Sequence, residues 1–345
     1  MPNKRLTGAK KEKNDEFYTT REVIDAELRH YIKQFKDKTV FCNCDDPYES
    51  NFFKYFAMNF EQLGLKKLIA TSFSGSTISG TQLSLLDVKI QLPSEACKIE
   101  LTNVKDIHTL DDVKNLVKQN VKSLNGNGDF LSDECVELLK ESDIVVTNPP
   151  FSLFKEFITQ LLKYNKQFLI IGNKNCLIYK EVFAPIKAGK MWLGYRNINS
   201  DMWFIVPEHY KCEKIINGVR MKHIMGCWLT NLDVLKRHEE MLLYRTYDTD
   251  AFPTYDNYNA IEVNEVKNIP KDYYGLMGVP STFLGNYNPD QFELIGVAND
   301  KREKHPDFIQ ANPVYLDDRH KSFQGLVVNG KATYARIVIK RKVKK

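Results

Sequence analysis

The chain has 345 residues, which is enough for one large α/β domain and a smaller second module. A hydrophobic content of 43% and a charged content of 27% exclude a disordered or fibrous protein, and a formal net charge of +5 does not by itself identify a partner. No apolar run approaches the length of a membrane span, and the Lys-rich start lacks the apolar stretch of a signal peptide. We therefore expect a protein that stays in the cytoplasm and has no membrane partner.

Basic residues are concentrated at the two ends of the chain. Residues 1–13 contain five lysines and arginines and almost nothing apolar to bury, which predicts a flexible basic arm. Another seven basic residues lie between 331 and 345. Arms of this kind are suited to contact phosphates, although solvated termini that bind nothing have the same composition.

The seven cysteines form an odd set scattered through apolar or mixed segments, which indicates reduced thiols rather than a disulfide framework. Cys42 and Cys44 are one residue apart, and neither a second cysteine pair nor a histidine pair lies near them in the sequence. We therefore predict that the protein has no metal site.

Apolar and polar residues follow one another in a pattern that is typical of an α/β protein. The predicted elements are, in chain order, a helix over 20–35, a strand over 39–43, a helix over 50–63, a strand over 67–71, a hairpin insertion over 72–101, a helix over 110–124, a strand over 143–147, a helix over 153–164, a strand over 168–172 and strand-like segments over 202–206 and 224–229. Because strands alternate with helices from 39 to 172, we predict a doubly wound, Rossmann-like parallel sheet. We place the end of this core near residue 235.

The sharpest pattern is Asn148-Pro149-Pro150-Phe151, which directly follows the β-branched strand predicted over 143–147. Two consecutive prolines hold φ at about −65° and stiffen the turn. An amide side chain and a rigid carbonyl can then accept both hydrogens of an exocyclic NH2 group and aim its lone pair at an electrophile, while Phe151 offers a flat stacking surface. A plain strand-to-loop turn is the alternative, but a position after a strand of an α/β sheet favours a site.

Acidic residues lie in two further turns of the predicted sheet. Asp45, Asp46 and Pro47 follow the first strand, and Asp129 and Phe130 lie in a Gly-rich turn. A carboxylate at a strand end can bind a ribose hydroxyl or the amino group of a methionine moiety, and an Asp-Phe pair can bind an adenine amine and stack on its ring. These residues suit an adenosyl cofactor, although an acidic residue in such a turn is also typical of a helix N-cap.

Several segments of the chain resemble the EcoRI-type family of adenine-specific DNA methyltransferases. Residues 148–151 match the catalytic (D/N/S)PP(Y/F/W) motif, and residues 128–130 are similar to the adenine-binding motif. The segments at 14–20, 41–53, 278–284 and 287–292 also look like that family, so the resemblance covers nearly the full length. Because residues 14–20 resemble the N-terminal cofactor-contacting motif, cofactor contacts are implied for Phe17, Tyr18 and Thr19.

The resemblance implies a site-specific DNA adenine-N6 methyltransferase that uses S-adenosyl-L-methionine and flips its target adenine out of duplex DNA. It also implies a methyltransferase domain over 14–235 and a DNA target recognition region over 236–345. A restriction-modification context follows from the same resemblance, in which a cognate restriction endonuclease acts on the same site without a stable complex. We expect a monomer.

One departure from the family concerns the first motif. It lacks the glycine pair that is usual in methyltransferases and has Asp45-Asp46-Pro47-Tyr48-Glu49-Ser50 instead, so the sequence leaves open which acidic residue contacts the cofactor. In the region over 236–345, nine side chains are capable of paired contacts with purine edges, although each alone is more often a solvated surface group. They are Arg237, Arg245, Asn257, Asn259, Asn286, Asn288, Arg302, Arg319 and Gln324.

Two other functions are compatible with these residues. Methylation of a protein glutamine or of an RNA adenine uses the same Asn-Pro-Pro chemistry, because the reacting NH2 groups are similar. A catalytically inactive DNA-binding protein that keeps the fold is suggested by the atypical first motif. The long C-terminal region and the basic termini favour a duplex DNA substrate.

Overall fold

The structure is a computed structural model that describes residues 18–73, 96–206, 210–300, 305–315 and 322–343. The predicted arm over 1–13 and the residues from 14 to Phe17 lie outside these ranges. The chain divides into two compact units. The first consists of Met1–Lys174, Gly194–Arg196 and Ser200–Leu232, and the second of Asn175–Leu193, Asn197–Asn199 and Asp233–Lys345.

Secondary structure in the described ranges is as follows. The strands are β1 Tyr18–Thr19, β2 Thr39–Cys42, β3 Lys67–Thr71, β4 Cys97–Leu101, β5 Lys122–Ser123, β6 Ile144–Thr147, β7 Gln167–Asn173, β8 Trp192–Leu193, β9 Trp203–Ile205, β10 Lys214–Ile216, β11 Val219–His223, β12 Gly226–Thr230, β13 Ile261–Glu262, β14 Leu276–Pro280, β15 Phe292–Ala298, β16 Val314–Tyr315, β17 Ser322–Phe323, β18 Val327–Val328, β19 Lys331–Ala332 and β20 Arg336–Arg341. The α-helices are α1 Arg21–Leu28, α2 Asn51–Met58, α3 Phe60–Leu63, α4 Leu110–Asn120, α5 Asp133–Glu141, α6 Phe154–Lys163 and α7 Lys180–Lys187. Turns of 3₁₀ helix occupy Ile32–Gln34, Phe151–Leu153, Lys174–Ile178, Leu235–His238, Val266–Asn268 and Ser281–Asn286.

The central sheet of the first unit is mixed, which corrects the prediction of a parallel sheet. Its strands pair in the order β5-β4-β3-β2-β6-β7-β12. The four central strands β3, β2, β6 and β7 are parallel to one another, whereas the pairings of β5 with β4, of β4 with β3 and of β12 with β7 are antiparallel. Every residue of β2 and β6 is buried, whereas the residues of β4 are alternately buried and half-buried. The centre therefore has the fully buried strands of an α/β core. Of the hairpin insertion predicted over 72–101, residues 74–95 lie outside the described residues, and Cys97–Leu101 forms β4, which pairs antiparallel with β3.

Three predicted helices are shorter than expected. The helix expected over 110–124 ends at Asn120, because the backbone is extended at Val121 and Lys122–Ser123 forms β5. The helix expected over 50–63 is interrupted at Asn59, whose side-chain amide donates to the Tyr55 carbonyl oxygen at 2.8 Å. Residues 20–35 form α1 and then a 3₁₀ turn, because the backbone at Tyr31 is not helical. A polar side chain or an irregular backbone torsion thus ends each helix where the apolar spacing would continue it.

A second, smaller sheet belongs to the first unit. Its strands pair antiparallel in the order β1-β9-β11-β10. The strand predicted over 202–206 is confirmed as β9, and the strand predicted over 224–229 is confirmed as β12 of the central sheet. The chain therefore passes from β11 of the small sheet directly into β12 of the large one.

The second unit is built on a sheet with the strand order β13-β14-β20-β15. The side chains of Ile337, Val338 and Ile339 in β20 are fully buried, and β20 pairs with a strand on each side. Arg336, at the start of β20, donates to both carboxylate oxygens of the buried Glu262. Residues 336–341 are therefore a central strand, and the interpretation of the basic C-terminal stretch as an arm is wrong there.

Two of the side chains considered for base contacts have structural roles in the second unit. Asn257 is 4% exposed, and its amide donates to the carbonyl oxygens of Asn312 and Gly325. Asn288 is also 4% exposed and donates to the carbonyl oxygen of Glu239 at 3.1 Å. Because these amides already satisfy backbone groups in the interior, they do not read DNA in this structure. In the part of the chain that the structure describes, no helix is both long enough and apolar enough to cross a membrane.

Helix α1 is fixed to the first unit by a buried carboxylate. Glu27 is fully buried and accepts hydrogen bonds from the Tyr31 hydroxyl at 2.8 Å, from the Tyr195 amide at 2.6 Å and from the Arg196 amide at 2.9 Å. Burial raises the pKa of Glu27, although these donors oppose that shift. Gly194 leaves the space for this contact, because a Cβ there would lie 2.3 Å from a Glu27 carboxylate oxygen.

We expect Glu27→Ala to lower the free energy of unfolding by about 3 kcal/mol, because three buried donors lose their acceptor. Glu22→Ala on the same helix is the matched control, since Glu22 is exposed and its loss should cost little. Urea unfolding followed by circular dichroism measures both values. Equal destabilisation by the two substitutions would contradict this account.

Candidate active site

The carboxyl ends of strands β2 and β6 are joined by one side chain. Thr147 is the last residue of β6 and is fully buried. Its hydroxyl donates to the carbonyl oxygen of Asn43, which follows β2, and lies 2.5 Å from Oδ2 of Asp45. The turn after β2 and the Asn-Pro-Pro-Phe motif after Thr147 are therefore held at the same edge of the sheet.

Residues 148–151 form the corner between β6 and α6. Pro149 is buried, whereas Asn148, Pro150 and Phe151 are half-buried. The Leu153 amide donates to the Pro150 carbonyl oxygen at 3.1 Å, which closes a 3₁₀ turn before α6 begins. The motif is therefore a rigid corner that follows a buried strand, in which Asn148 and Phe151 are half-buried and the side-chain oxygen of Asn148 is itself buried.

Asp45 faces inward at this edge. It is 7% exposed, and Oδ1 accepts from the Ser50 hydroxyl at 2.7 Å while Oδ2 contacts the Thr147 hydroxyl. Burial raises the pKa of Asp45 to about 7, against the opposing effect of these hydrogen bonds. Thr147 has a single hydroxyl hydrogen for two acceptors, so a protonated Asp45 that donates to Thr147 satisfies every oxygen of the cluster. Both carboxyl oxygens are thus used within the protein.

Asp46 lies beside Asp45 but is half-buried. Its Oδ1 accepts from the Tyr48 amide at 2.8 Å, and burial raises its pKa. The N-cap of α2 is Ser50, whose hydroxyl accepts from the amides of Phe52 and Phe53. The alternative interpretation of Asp46 as the cap of this helix is therefore wrong, and Pro47 is buried in the turn between the two.

The N-terminal residues within the described ranges reach the same turn. Tyr18 and Thr19 form β1, and the Thr19 carbonyl oxygen accepts from the side-chain amide of Asn51 at 2.8 Å. Asn51 is the first residue of α2, directly after the turn that begins at Asp45. The structure therefore brings these predicted cofactor residues to the turn after β2, whereas Phe17 lies outside the described residues.

The Gly-rich turn with Asp129 lies against the end of β3. Gly128 has φ +76°, and a Cβ there would lie 2.0 Å from the Ser72 carbonyl oxygen, so only glycine fits. Asp129 is half-buried, and its Oδ1 accepts from the Leu131 amide at 2.9 Å. The N-cap of α5 is Ser132, which excludes the alternative of Asp129 as that cap.

Phe130 is 3% exposed and packs against α6. Its ring meets Phe157 edge to face at a centroid distance of 5.1 Å, and its carbonyl oxygen accepts from the Gln160 side chain at 2.9 Å. These contacts link the turn at 128–130 to the helix that follows the Asn-Pro-Pro-Phe corner. Stacking of this ring on an adenine stays a prediction, because the ring packs in the core in this structure.

Two further charged residues near Asp46, Glu49 and Lys54, are not among the site residues predicted from the sequence, although Glu49 belongs to the motif that was considered. Glu49 is 1% exposed, and within the described residues its Oε1 makes no hydrogen bond. Lys54 donates to the Glu49 carbonyl oxygen at 2.9 Å, and burial lowers the pKa of Lys54. No sequence motif relates the two residues. Glu49 comes just before Ser50, the N-cap of α2, and Lys54 lies in the first turns of that helix.

The raised pKa of Asp45 predicts a pH-dependent stability. Because this pKa rises from 3.8 to about 7 on folding, the stabilising contribution of the protonated group is complete below 3.8 and is lost as the pH rises through about 7. We expect Asp45→Asn to keep both contacts, with its amide donating to Thr147 and its oxygen accepting from Ser50. The free energy of unfolding of Asp45→Asn relative to the wild type should therefore increase by roughly 2 kcal/mol between about pH 5 and about pH 8.

Urea unfolding of both proteins at the two pH values measures this difference. The pH-dependent contributions of groups that are present in both proteins cancel in the difference between their free energies of unfolding. A difference that does not change with pH would show that Asp45 is ionised throughout, and the proposed proton arrangement at Thr147 would be wrong.

Comparison with known proteins identifies the family. Residues 5–342 match the family described as adenine-specific methyltransferase EcoRI. The chain is 47% identical to the type II methyltransferase M.EcoRI of Escherichia coli over 99% of this chain and 97% of the relative. It is 41% identical to the type II methyltransferase M.MgeORF184P of Mycoplasma genitalium over 96% of this chain and 97% of the relative. It is 38% identical to the type II methyltransferase M.MpnI of Mycoplasma pneumoniae, with 97% of each chain covered.

No solved structure matches the chain. The family match and the identities over nearly the whole chain confirm the resemblance found in the sequence motifs. The corner after β6, the acidic turn after β2 and the covered length agree with a single assignment: the chain belongs to the EcoRI family of adenine-specific methyltransferases.

Proposed function

We propose that this member of the EcoRI family transfers the methyl group of S-adenosyl-L-methionine to the N6 amine of an adenine flipped out of duplex DNA. Family membership supplies the class of enzyme, a DNA adenine methyltransferase. The observation that carries the finer proposal is the Thr147 contact, which places the Asn148 corner and the acidic turn at one edge of the sheet. An acceptor amine and a methyl donor would have to meet at such an edge.

Asn148, Pro149, Pro150 and Phe151 are the residues that we assign to the target base. The Asn148 side-chain oxygen and a carbonyl oxygen of the proline pair accept the two hydrogens of the adenine amine. This draws the nitrogen lone pair out of conjugation with the ring and directs it towards the donor, while Phe151 stacks on the base. No strong base is needed before the attack, because the nitrogen becomes acidic only as it gains the methyl group.

The acidic turn after β2 is suited to a cationic cofactor. S-adenosyl-L-methionine supplies an electrophilic methyl group on a sulfonium centre and carries an ammonium group and two ribose hydroxyls. Asp46 is half-buried, and the buried Oε1 of Glu49 makes no hydrogen bond within the described residues, so donors of this kind would satisfy both carboxylates. Both oxygens of Asp45 are used within the protein, and we therefore assign the cofactor contact to Asp46 and Glu49.

The other predicted cofactor residues have supporting positions. Tyr18 and Thr19 lie beside this turn through the Thr19–Asn51 hydrogen bond. Pro47 shapes the turn, and Asp129 is half-buried in the turn against β3. We propose that these residues, together with Phe17 and Phe130, complete the cofactor site. Target recognition by residues 236–345, a cognate endonuclease that acts on the same site and a monomeric state belong to the same proposal.

We expect Asn148→Ala to reduce the rate of methyl transfer to duplex DNA by about a hundredfold or more, because the amine loses an oriented acceptor. The affinity for the cofactor should be unchanged, since Asn148 contacts the base only. Transfer from tritiated cofactor to duplex DNA measures the rate, with transfer RNA and a glutamine-containing protein as alternative substrates. Asn125→Ala is the matched control, because Asn125 lies exposed in a turn.

A wild-type protein that methylates only RNA or protein would contradict the proposed substrate. A wild-type protein that binds duplex DNA but has no affinity for the cofactor would instead support the inactive DNA-binding alternative.

The two neighbouring aspartates give a direct test of the cofactor assignment. Asp46→Asn should weaken cofactor binding roughly tenfold, because a hydrogen bond to a charged acceptor becomes one to a neutral acceptor. Asp45→Asn should change this affinity little, since its carboxyl group is occupied by Ser50 and Thr147. Isothermal titration calorimetry with each variant measures the dissociation constants. The reverse order of effects would assign the contact to Asp45.

A further inference from the structure

The β10–β11 hairpin of the first unit is a two-stranded ribbon whose side chains are solvent-accessible on both faces. All five residues of β11 are half-buried, and Ile215 and Ile216 of β10 are 58% and 47% exposed. The two strands are joined by Asn217 and Gly218, both with positive φ, which is the tight turn that matches the twist of a hairpin. In the described part of the chain, β10 pairs with β11 alone and forms the edge of the small sheet.

The strand register places a basic and an aliphatic group on each face of the hairpin. Lys214 is paired with Met221, and Ile216 with Val219, so these four side chains share one face. Ile215 is paired with Arg220, and Lys222 lies two residues further along β11 on that second face. The tip of the ribbon is therefore aliphatic, and both of its faces are positively charged.

The basic groups of the hairpin are held in place by aromatic rings and by the backbone. The Lys214 ammonium lies 3.4 Å from the centre of the Trp203 ring, and the Lys222 ammonium lies 4.8 Å from that of Tyr210. The Arg220 guanidinium donates to the Tyr210 carbonyl oxygen at 2.9 Å. Among the residues that the structure describes, no carboxylate forms an ion pair with these three groups, so their charges are not neutralised locally.

The hairpin is also more basic than the chain as a whole. Residues 210–223 contain four basic side chains, Lys211, Lys214, Arg220 and Lys222, and a single carboxylate, that of Glu213. That carboxylate accepts from the backbone amide of His223 within the hairpin. A polyanion is the occupant whose charge complements this surface.

The hairpin joins the central sheet near the carboxyl ends of its parallel strands, where the Asn-Pro-Pro-Phe corner also lies. Met225, two residues after β11, accepts through its carbonyl oxygen from the amide of Lys174 at 2.8 Å. Lys174 follows β7, and β7 is the parallel neighbour of β6, after which Asn148 stands. Parallel strands end at the same edge, so DNA that presents a base to Asn148 passes this side of the first unit.

We propose that the β10–β11 hairpin lies in a groove of the duplex DNA substrate, as a second DNA-binding element separate from the region over 236–345. Lys214 contacts phosphates on one wall of the groove, and Arg220 and Lys222 contact those on the other. Ile215 and Ile216 contact base edges at the tip, because the major groove is wide enough for a two-stranded ribbon. This inference rests on the proposed function, since it takes duplex DNA as the substrate.

The test compares two double variants in DNA binding measured by fluorescence anisotropy over a range of salt concentrations. Lys214→Ala with Lys222→Ala should weaken binding of duplex DNA at least about tenfold and should reduce the slope of log affinity against log salt by about 2. Lys33→Ala with Lys118→Ala removes the same charge from exposed positions elsewhere in the first unit and should leave both quantities unchanged. The proposal would be overturned if both double variants weakened DNA binding equally, or if the Lys214→Ala, Lys222→Ala variant bound DNA as the wild type does.

The aliphatic tip is tested by Ile215→Ser with Ile216→Ser. This pair should weaken DNA binding several-fold without changing the salt slope, because no charge is removed. If the substitutions instead convert a wild-type dimer into a monomer and leave DNA affinity unchanged, the hairpin is a contact between copies of the chain and the proposal is wrong.

Protection of lysines in the wild-type protein gives a test that does not depend on the folding of a variant. Duplex DNA should protect Lys214 and Lys222 from acetylation, measured by mass spectrometry, and should leave Lys33 and Lys118 reactive. Wild-type protein that methylates duplex DNA without protecting the hairpin lysines would overturn the hairpin proposal alone. Wild-type protein that neither binds nor methylates duplex DNA would overturn the proposed function as well.

Discussion

The contact of the Thr147 hydroxyl with Asn43 and Asp45 is the constraint on which the rest of the site depends. The two halves of the proposed site follow two different parallel strands. The acidic turn follows β2, and the corner that we assign to the target amine follows β6. The Thr147 hydroxyl has one hydrogen for two acceptors, and because burial raises the pKa of Asp45 to about 7, a protonated Asp45 can supply the second hydrogen. The contacts of one buried hydroxyl thus hold the ends of the two strands side by side.

This constraint separates the roles of two adjacent aspartates. Asp45 is buried and is bonded to Ser50 and Thr147, whereas Asp46 is half-buried near Glu49, whose Oε1 makes no hydrogen bond among the residues that the structure describes. The turn lacks the glycine pair of other methyltransferases, yet the chain still turns sharply, because Cys44 adopts a φ of +67°. A non-glycine residue in this conformation costs about 1 kcal/mol.

The small sheet extends the site beyond the usual elements of an α/β core. One of its outer strands, β1, brings Tyr18 and Thr19 to the acidic turn, and the other, β10, belongs to the basic hairpin. Between them, the buried Phe204 of β9 anchors the sheet to the interior of the first unit. A single antiparallel sheet therefore links the segment that we assign to the cofactor with the segment that we assign to DNA.

The sequence by itself determined the family, the α/β class and the position of Asn148-Pro149-Pro150-Phe151 between a buried strand and a helix, because proline pairs and β-branched runs have local structural consequences. Only the tertiary structure decided that the sheet is mixed, that both carboxyl oxygens of Asp45 have partners within the protein and that Phe130 packs against Phe157. Strand direction, burial and hydrogen-bond partners depend on residues distant in the chain, such as Asp45 and Thr147, which no local pattern relates. The Asn217-Gly218 turn is a local hairpin signal that could have been read from the sequence, but the exposure of its two strands could not.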